Sequence, residues 1–139
     1  MQTITEELLK ELRNAGDIDG FFKRHEKEFI NETPVSLLNY MIQAKNTTVS
    51  KVAESSGVGE YVYKIFNNNR KPSRNVLIAI ALGMGLAFEE AQLLLRVSKF
   101  AVLDSRDKRD SIIIFGFMNH LSVFEIDDIL EQHDFITIN

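Results

Sequence analysis

Cysteine is absent, and with it any disulfide framework, Cys-type zinc site or thiol nucleophile. That absence fits a reducing compartment. With only 2 prolines and 7 glycines, turns are few, which favours a helical protein. Long apolar runs are missing too. Stretches such as Val76 to Phe88 are too short to span a bilayer and contain Gly83 and Gly85. Met1-Gln2-Thr3 has no basic region leading into an apolar stretch, so no secretory leader is expected and the cytoplasm is the expected location.

What is present is ordinary for a globular chain. The 139 residues are 45% hydrophobic and 26% charged, enough for one domain, or a small module plus an extension, with a sizeable core. Long disorder and low-complexity sequence are excluded as main descriptions. The net charge of −4 argues weakly against a nucleic-acid partner. Its distribution argues otherwise. Between residues 46 and 75 stand Lys51, Lys64, Arg70, Lys71 and Arg74 against Glu54 and Glu60, with acidic segments on both sides. A local basic patch is the footprint phosphate binding needs. The alternative is chance clustering on a solvated face.

Helix signals run the length of the chain. Thr3 and Glu6 have capping-box spacing ahead of Leu8, Leu9 and Leu12, and this helix should stop near Ala15-Gly16. Asp17 or Asp19 caps a shorter helix with an apolar stripe of Ile18, Phe21, Phe22 and Phe29 and with Lys23, Arg24, Glu26 and Lys27 facing out. Thr33-Pro34 opens a third, lined by Val35, Leu37, Leu38, Met41 and Ile42. Thr47 or Thr48 caps a short helix carrying Val49, Val52 and Ala53. It ends at Ser55-Ser56-Gly57, and Val58-Gly59 turns into a second short helix from Glu60 to about Asn67.

Ser73 caps the next helix, closed at Gly83 or Gly85, and Glu89 and Glu90 begin another. Ile112 to Leu121 is apolar nearly all round and favours helix over buried strand. Ser122 and Glu125 form a second capping box for a last helix, and Phe135 to Asn139 should be extended. The expectation is an all-α protein of about eight helices, with no strand.

The two short helices around Gly57 have the pattern of a DNA-reading helix-turn-helix. Ala53 is small enough for a close crossing, Gly57 permits the bend, and Val62 and Ile65 anchor the second helix. Its outer face then offers Glu60, Tyr61, Tyr63, Lys64, Asn67 and Asn68.

At these residues the chain resembles the Xre/Cro-repressor-like helix-turn-helix family, most closely a group of bacterial, mainly Gram-positive, transcriptional regulators. The stretch YVYKIFNNNRKPSRN, Tyr61 to Asn75, carries the resemblance. Glu89 to Leu95 and Arg109-Asp110 to Phe115 extend it, so that it covers about residues 33–139. Between Val58 and Tyr61 the chain has one residue fewer than the family usually has, and Asn68 stands where a Gly is usual.

The resemblance implies a five-helix lambda-repressor-like helix-turn-helix bundle with N-terminal and C-terminal helical extensions. The expected division is residues 1–31 as the N-terminal extension, 32–99 as the DNA-binding bundle and 100–139 as the C-terminal extension. By the same resemblance Glu60, Tyr63 and Lys64 face the major groove, while Thr48, Asn67, Arg70, Lys71 and Arg74 hold phosphates and register. The competing reading has Arg74 and Asn75 capping and solvating the next helix, with Tyr61 and Tyr63 half-buried packing residues.

Other chemistry is not signalled. His25, His120 and His133 lack metal-ligand spacing, and His25 reads as a packing or surface residue beside the Phe stripe. Asp104, Asp107 and Asp110 alternate with basic residues and read as a solvated, salt-bridged helix start, and Asp127-Asp128 as a polar helix face. Gly83-Met84-Gly85 lacks a preceding strand and the third glycine of a dinucleotide loop. Neither a nucleophile elbow nor a phosphate loop occurs, so no enzyme, cofactor or metal is expected.

The leading expectation is a sequence-specific transcriptional regulator that binds double-stranded DNA as a homodimer on a pseudo-palindromic site, away from membranes. The Ile/Phe-rich tail after Phe100 is the candidate dimerisation element, or else simply packs on the bundle. The second reading is a protein-interaction module that keeps this fold without reading DNA and takes a protein partner. Glu60, the acidic flanks and the short turn lean towards it.

Overall fold

The computed structural model describes residues 3–26 and 33–139. Nine α-helices and no strand occur among the described residues, so the protein is all-α. The chain forms two compact units, Met1–Asn31 and Glu32–Asn139.

The first unit holds α1 (Ile4–Asn14) and α2 (Ile18–Arg24). Thr3 and Glu6 close a reciprocal capping box on α1, and Asp17 caps α2 by accepting from the Asp19 and Gly20 amides. The expected apolar stripe of α2 is only partly buried. Phe21 lies inside, whereas Ile18 and Phe22 are about half exposed at 50% and 49%. Phe29 and Lys27 lie outside the described residues. His25 packs its ring against Phe21, with centroids 4.9 Å apart, and pairs with Glu11.

The second unit contains α3 (Pro34–Ala44), α4 (Val49–Ser55), α5 (Tyr61–Phe66), α6 (Arg74–Met84), α7 (Phe88–Val97), α8 (Lys108–Met118) and α9 (Val123–Gln132). Side-chain caps start most of them: Thr33, Thr48, Ser73, Asp107 and Ser122 each accept from an amide three residues on. Helix α6 is the axis of this unit. Leu77, Ile78, Ala79, Ile80 and Ala81 are all but fully buried, with α4, α7 and α9 packed around them. Of the two candidate closing glycines, Gly85 takes the left-handed conformation at φ 73° and ends α6. Gly83 serves another purpose. A Cβ there would stand 2.8 Å from the Ser56 amide nitrogen, so this glycine lets α6 and the end of α4 touch backbone to backbone.

The C-terminal segment shares this core. Leu103, Ile113, Phe117, Ile126, Leu130 and Ile138 join the same buried cluster as Leu38, Val52 and Ile65. Gly116 accommodates the Ile126 side chain where α8 crosses α9. The Ile/Phe-rich run therefore packs inward through Ile113, Ile114 and Phe117, and leaves Phe115 and Met118 exposed.

Asp110 makes the salt bridge expected at a helix start, with Arg74, but is not solvated, and Asp127 does more than line a polar helix face. Asp110 is buried in the first turn of α8. Asp127 accepts the backbone amides of Ile138 and Asn139 at 2.6 and 3.2 Å, which fixes the irregular segment from Phe135 to Asn139.

Candidate nucleic-acid interface

The stretch from Thr48 to Arg74 contains α4, the turn, α5 and the loop that leads to α6. Val62 and Ile65 are fully buried and Phe66 nearly so, which fixes the rotation of this short helix. The opposite side is left to solvent. Glu60, Tyr63, Lys64 and Asn67 are exposed, Tyr63 by 43%. Tyr61 differs from its neighbours: it is half-buried, and its hydroxyl donates to the Lys71 carbonyl at 3.5 Å.

The bend before α5 rests on specific contacts. Gly57 and Gly59 both take left-handed φ angles, 74° and 75°. The Gly59 amide donates to the Ala53 carbonyl at 3.0 Å. Ser56 is completely buried; its Oγ donates to the Ala53 carbonyl at 3.4 Å and accepts from the Val58 amide at 3.2 Å. The Asn139 side-chain amide donates to the Ser56 carbonyl at 2.8 Å, and Phe124 lies over Gly57. The turn is thus gripped from the far end of the chain, a contact no local pattern announces.

Glu60 precedes α5 in helical conformation and makes no side-chain cap, so its carboxylate projects from the start of the helix. Thr48 caps α4 by accepting from the Lys51 amide at 3.2 Å, which leaves its hydroxyl proton for another acceptor. Asn67 ends α5, and Asn68 follows in the left-handed region at φ 61°, a conformation asparagine tolerates. Arg70 and Lys71 are exposed just beyond; Arg70 Nη1 donates to the Asn69 carbonyl at 2.9 Å.

Arg74 stands apart from the phosphate-holding role that the resemblance implies. Its guanidinium donates to both Asp110 carboxylate oxygens, at 3.2 and 2.9 Å, and to the carbonyls of Ala101 and Val102, at 2.8 and 3.3 Å. Most of its five N–H donors are therefore spent inside the protein. The rest of the basic surface, Lys51, Lys64, Arg70 and Lys71, is exposed.

Arg109 does a similar job. It donates to the carbonyls of Ile136 and Thr137 and to Asn75 Oδ1, at 2.8, 3.3 and 3.0 Å. The Arg109-Asp110 pair thus fastens the start of α8 to α6 and to the chain's end. A tandem Arg-Asp beside a helix cap is the available signal, but its partners Arg74, Asn75, Ile136 and Thr137 lie more than twenty residues away in sequence.

No group of histidine, aspartate or glutamate side chains suited to a metal ion occurs among the described residues. No helix among them is long and apolar enough to cross a membrane. No protein-family model, curated protein or solved structure matches the chain.

Proposed function

We propose that the protein is a sequence-specific DNA-binding transcriptional regulator of the Xre/Cro-repressor-like type. In this reading α3–α7 are the five-helix lambda-repressor-like bundle, α4 and α5 are its helix-turn-helix, and α5 enters the major groove. The carrying observation is the split of α5 into a buried face, Val62 and Ile65, and an exposed face, Tyr63 and Lys64, continued by Arg70 and Lys71. A helix with one face held rigidly in a core and the other polar, aromatic and basic can present side chains to base edges in a defined register.

Lys64 and Tyr63 then read bases, Glu60 accepts from a cytosine amino group, and Thr48, Asn67, Arg70 and Lys71 hold phosphates. Arg74 leaves this set, because its donors are committed to Asp110 and to backbone carbonyls. One such module reads a half-site, so a homodimer is proposed, with exposed Phe115 and Met118 on α8 as its seam. The proposed location is the cytoplasm.

The test is fluorescence anisotropy with random and candidate duplexes over a salt series. Log affinity should fall with log salt at a slope of about −0.9 per phosphate contact. Arg70→Ala should weaken all duplexes alike and reduce that slope by about 1. Lys64→Ala should blur the preference between duplexes. No binding to any pool at low salt defeats the proposal. The second reading, a protein-interaction module, is favoured by one observation: Glu60 is exposed on the face that would meet phosphates.

A further inference from the structure

A cavity of about 440 Å³ opens beside the α5–α6 loop, between the start of α3 and the end of α7. Its volume falls in the range of small-molecule sites, roughly 300–1,000 Å³. The walls divide by chemistry. Val35, Pro72, Val97 and Phe100 supply an apolar body. Arg70, Lys71 and Lys99 supply three cations at the rim, and no carboxylate lines the cavity among the described residues.

Pro34, the first residue of α3, and its cap Thr33 also line it. The end of α7 is fixed against the cavity by the Arg96 and Leu95 carbonyls, which accept from the Lys99 and Phe100 amides at 3.1 and 2.9 Å. The start of the loop wall is held by the Asn69 amide on the Lys64 carbonyl at 2.8 Å, with the Tyr61 hydroxyl near the Lys71 carbonyl at 3.5 Å. A preformed site loses less on binding than one that must be ordered.

We infer that this cavity binds a small amphipathic carboxylate, its acyl or aromatic body between Val35, Val97 and Phe100 and its head group against Lys99 and Arg70. The apolar wall selects against inorganic phosphate, and the cations select against a neutral analogue. The inference concerns the protein without DNA and stands independently of the regulator reading.

The test is an amide-resolved NMR titration of the full chain with octanoate, 1-octanol and inorganic phosphate at matched ionic strength. Octanoate should shift the amides of Val35, Ser98, Lys99 and Phe100 saturably. Octanol and phosphate should each bind at least about tenfold more weakly, the loss expected when a charge-assisted contact or the apolar burial is removed. Lys99 takes a left-handed φ of 67°, which glycine meets without strain, so Lys99→Gly removes the charge while keeping the fold. It should cost octanoate about tenfold in affinity. Val35→Phe, which narrows the cavity from another helix, should weaken octanoate similarly. Scattered or non-saturating shifts overturn the inference, as does phosphate binding as tightly as octanoate, or Lys99→Gly leaving octanoate affinity unchanged in a folded protein.

Discussion

Arg74 at the start of α6 grips Asp110 in the first turn of α8 through two parallel N–H···O bonds, across 36 residues of sequence. The fork geometry of the guanidinium matches the carboxylate, and the Asp110 side chain is only 9% exposed. Asp110 also accepts the Asp104 amide at 3.1 Å, so one buried carboxylate ties together α6, α8 and the connection between α7 and α8.

Removing one partner of that pair should therefore cost more than a surface ion pair. Arg74→Ala leaves a buried carboxylate without its counter-charge, and urea unfolding should show a loss of about 3 kcal/mol. The paired replacement Arg74→Met with Asp110→Leu should recover most of it, because no buried charge remains. In DNA-binding assays Arg74→Ala should leave the salt slope unchanged at temperatures where it stays folded. A reduced slope would return Arg74 to the phosphate contacts.

Gly83 and Gly85 should respond to alanine for different reasons. Gly85→Ala meets open space but a φ of 73°, and should cost about 1 kcal/mol. Gly83→Ala adds a Cβ against the Ser56 backbone, which cannot step aside, and should cost about 1–3 kcal/mol despite the better helix propensity of alanine. Thermal melts of both variants decide it: a Gly83→Ala protein as stable as wild type means the α4–α6 crossing has room for a Cβ.

The Asn139 side chain should steady the turn it reaches. Asn139→Ala leaves the Ser56 carbonyl, on a fully buried residue, without its amide donor, at a cost of about 1 kcal/mol. Hydrogen exchange should quicken at the Gly59 amide, inside the same turn, before it quickens in the core of α6. Unchanged protection across the turn would show that its other contacts hold it without Asn139.

Acid should weaken one link between α3 and α7. The Lys45 ammonium, 2.7 Å from Glu90, together with the Ala87 amide, holds the Glu90 carboxyl below its ordinary value of 4.5. A carboxyl depressed in the folded state contributes stability above the unfolded value, and that contribution is lost as pH falls through the folded one. Both side chains are about one-third exposed, so the contribution is screened and stays below about 1 kcal/mol. Urea midpoints followed from neutral pH to below 4.5 should fall less steeply for Lys45→Met than for wild type. Equal slopes would mean that the pair has no measurable weight.

Much of the fold was legible because its signals are local. Thr3, Asp17, Thr33, Thr48, Ser73 and Ser122 cap helices within three residues of themselves, and the apolar positions of α3, α5 and α6 repeat at helical spacing. Such features depend on hydrogen bonds and side-chain spacing inside a single turn, which sequence order specifies directly. The exposed face of α5 follows in the same way, since burying Val62 and Ile65 turns Tyr63 and Lys64 outward.

Other features depend on which distant segments meet. Arg74 reads locally as an exposed basic residue, yet Asp110 and two carbonyls enclose it; Asp110 reads as part of a solvated, salt-bridged helix start, and packing keeps the salt bridge but removes the solvent. Local pattern leaves Gly83 and Gly85 equal as helix terminators, but the approach of Ser56 makes Gly83 a crossing point. Composition and local pattern determined the all-α character, the helix ends and the outward face of α5. Tertiary structure alone decided which charges remain free for a partner, because whether a cation is spent depends on groups brought to it by packing.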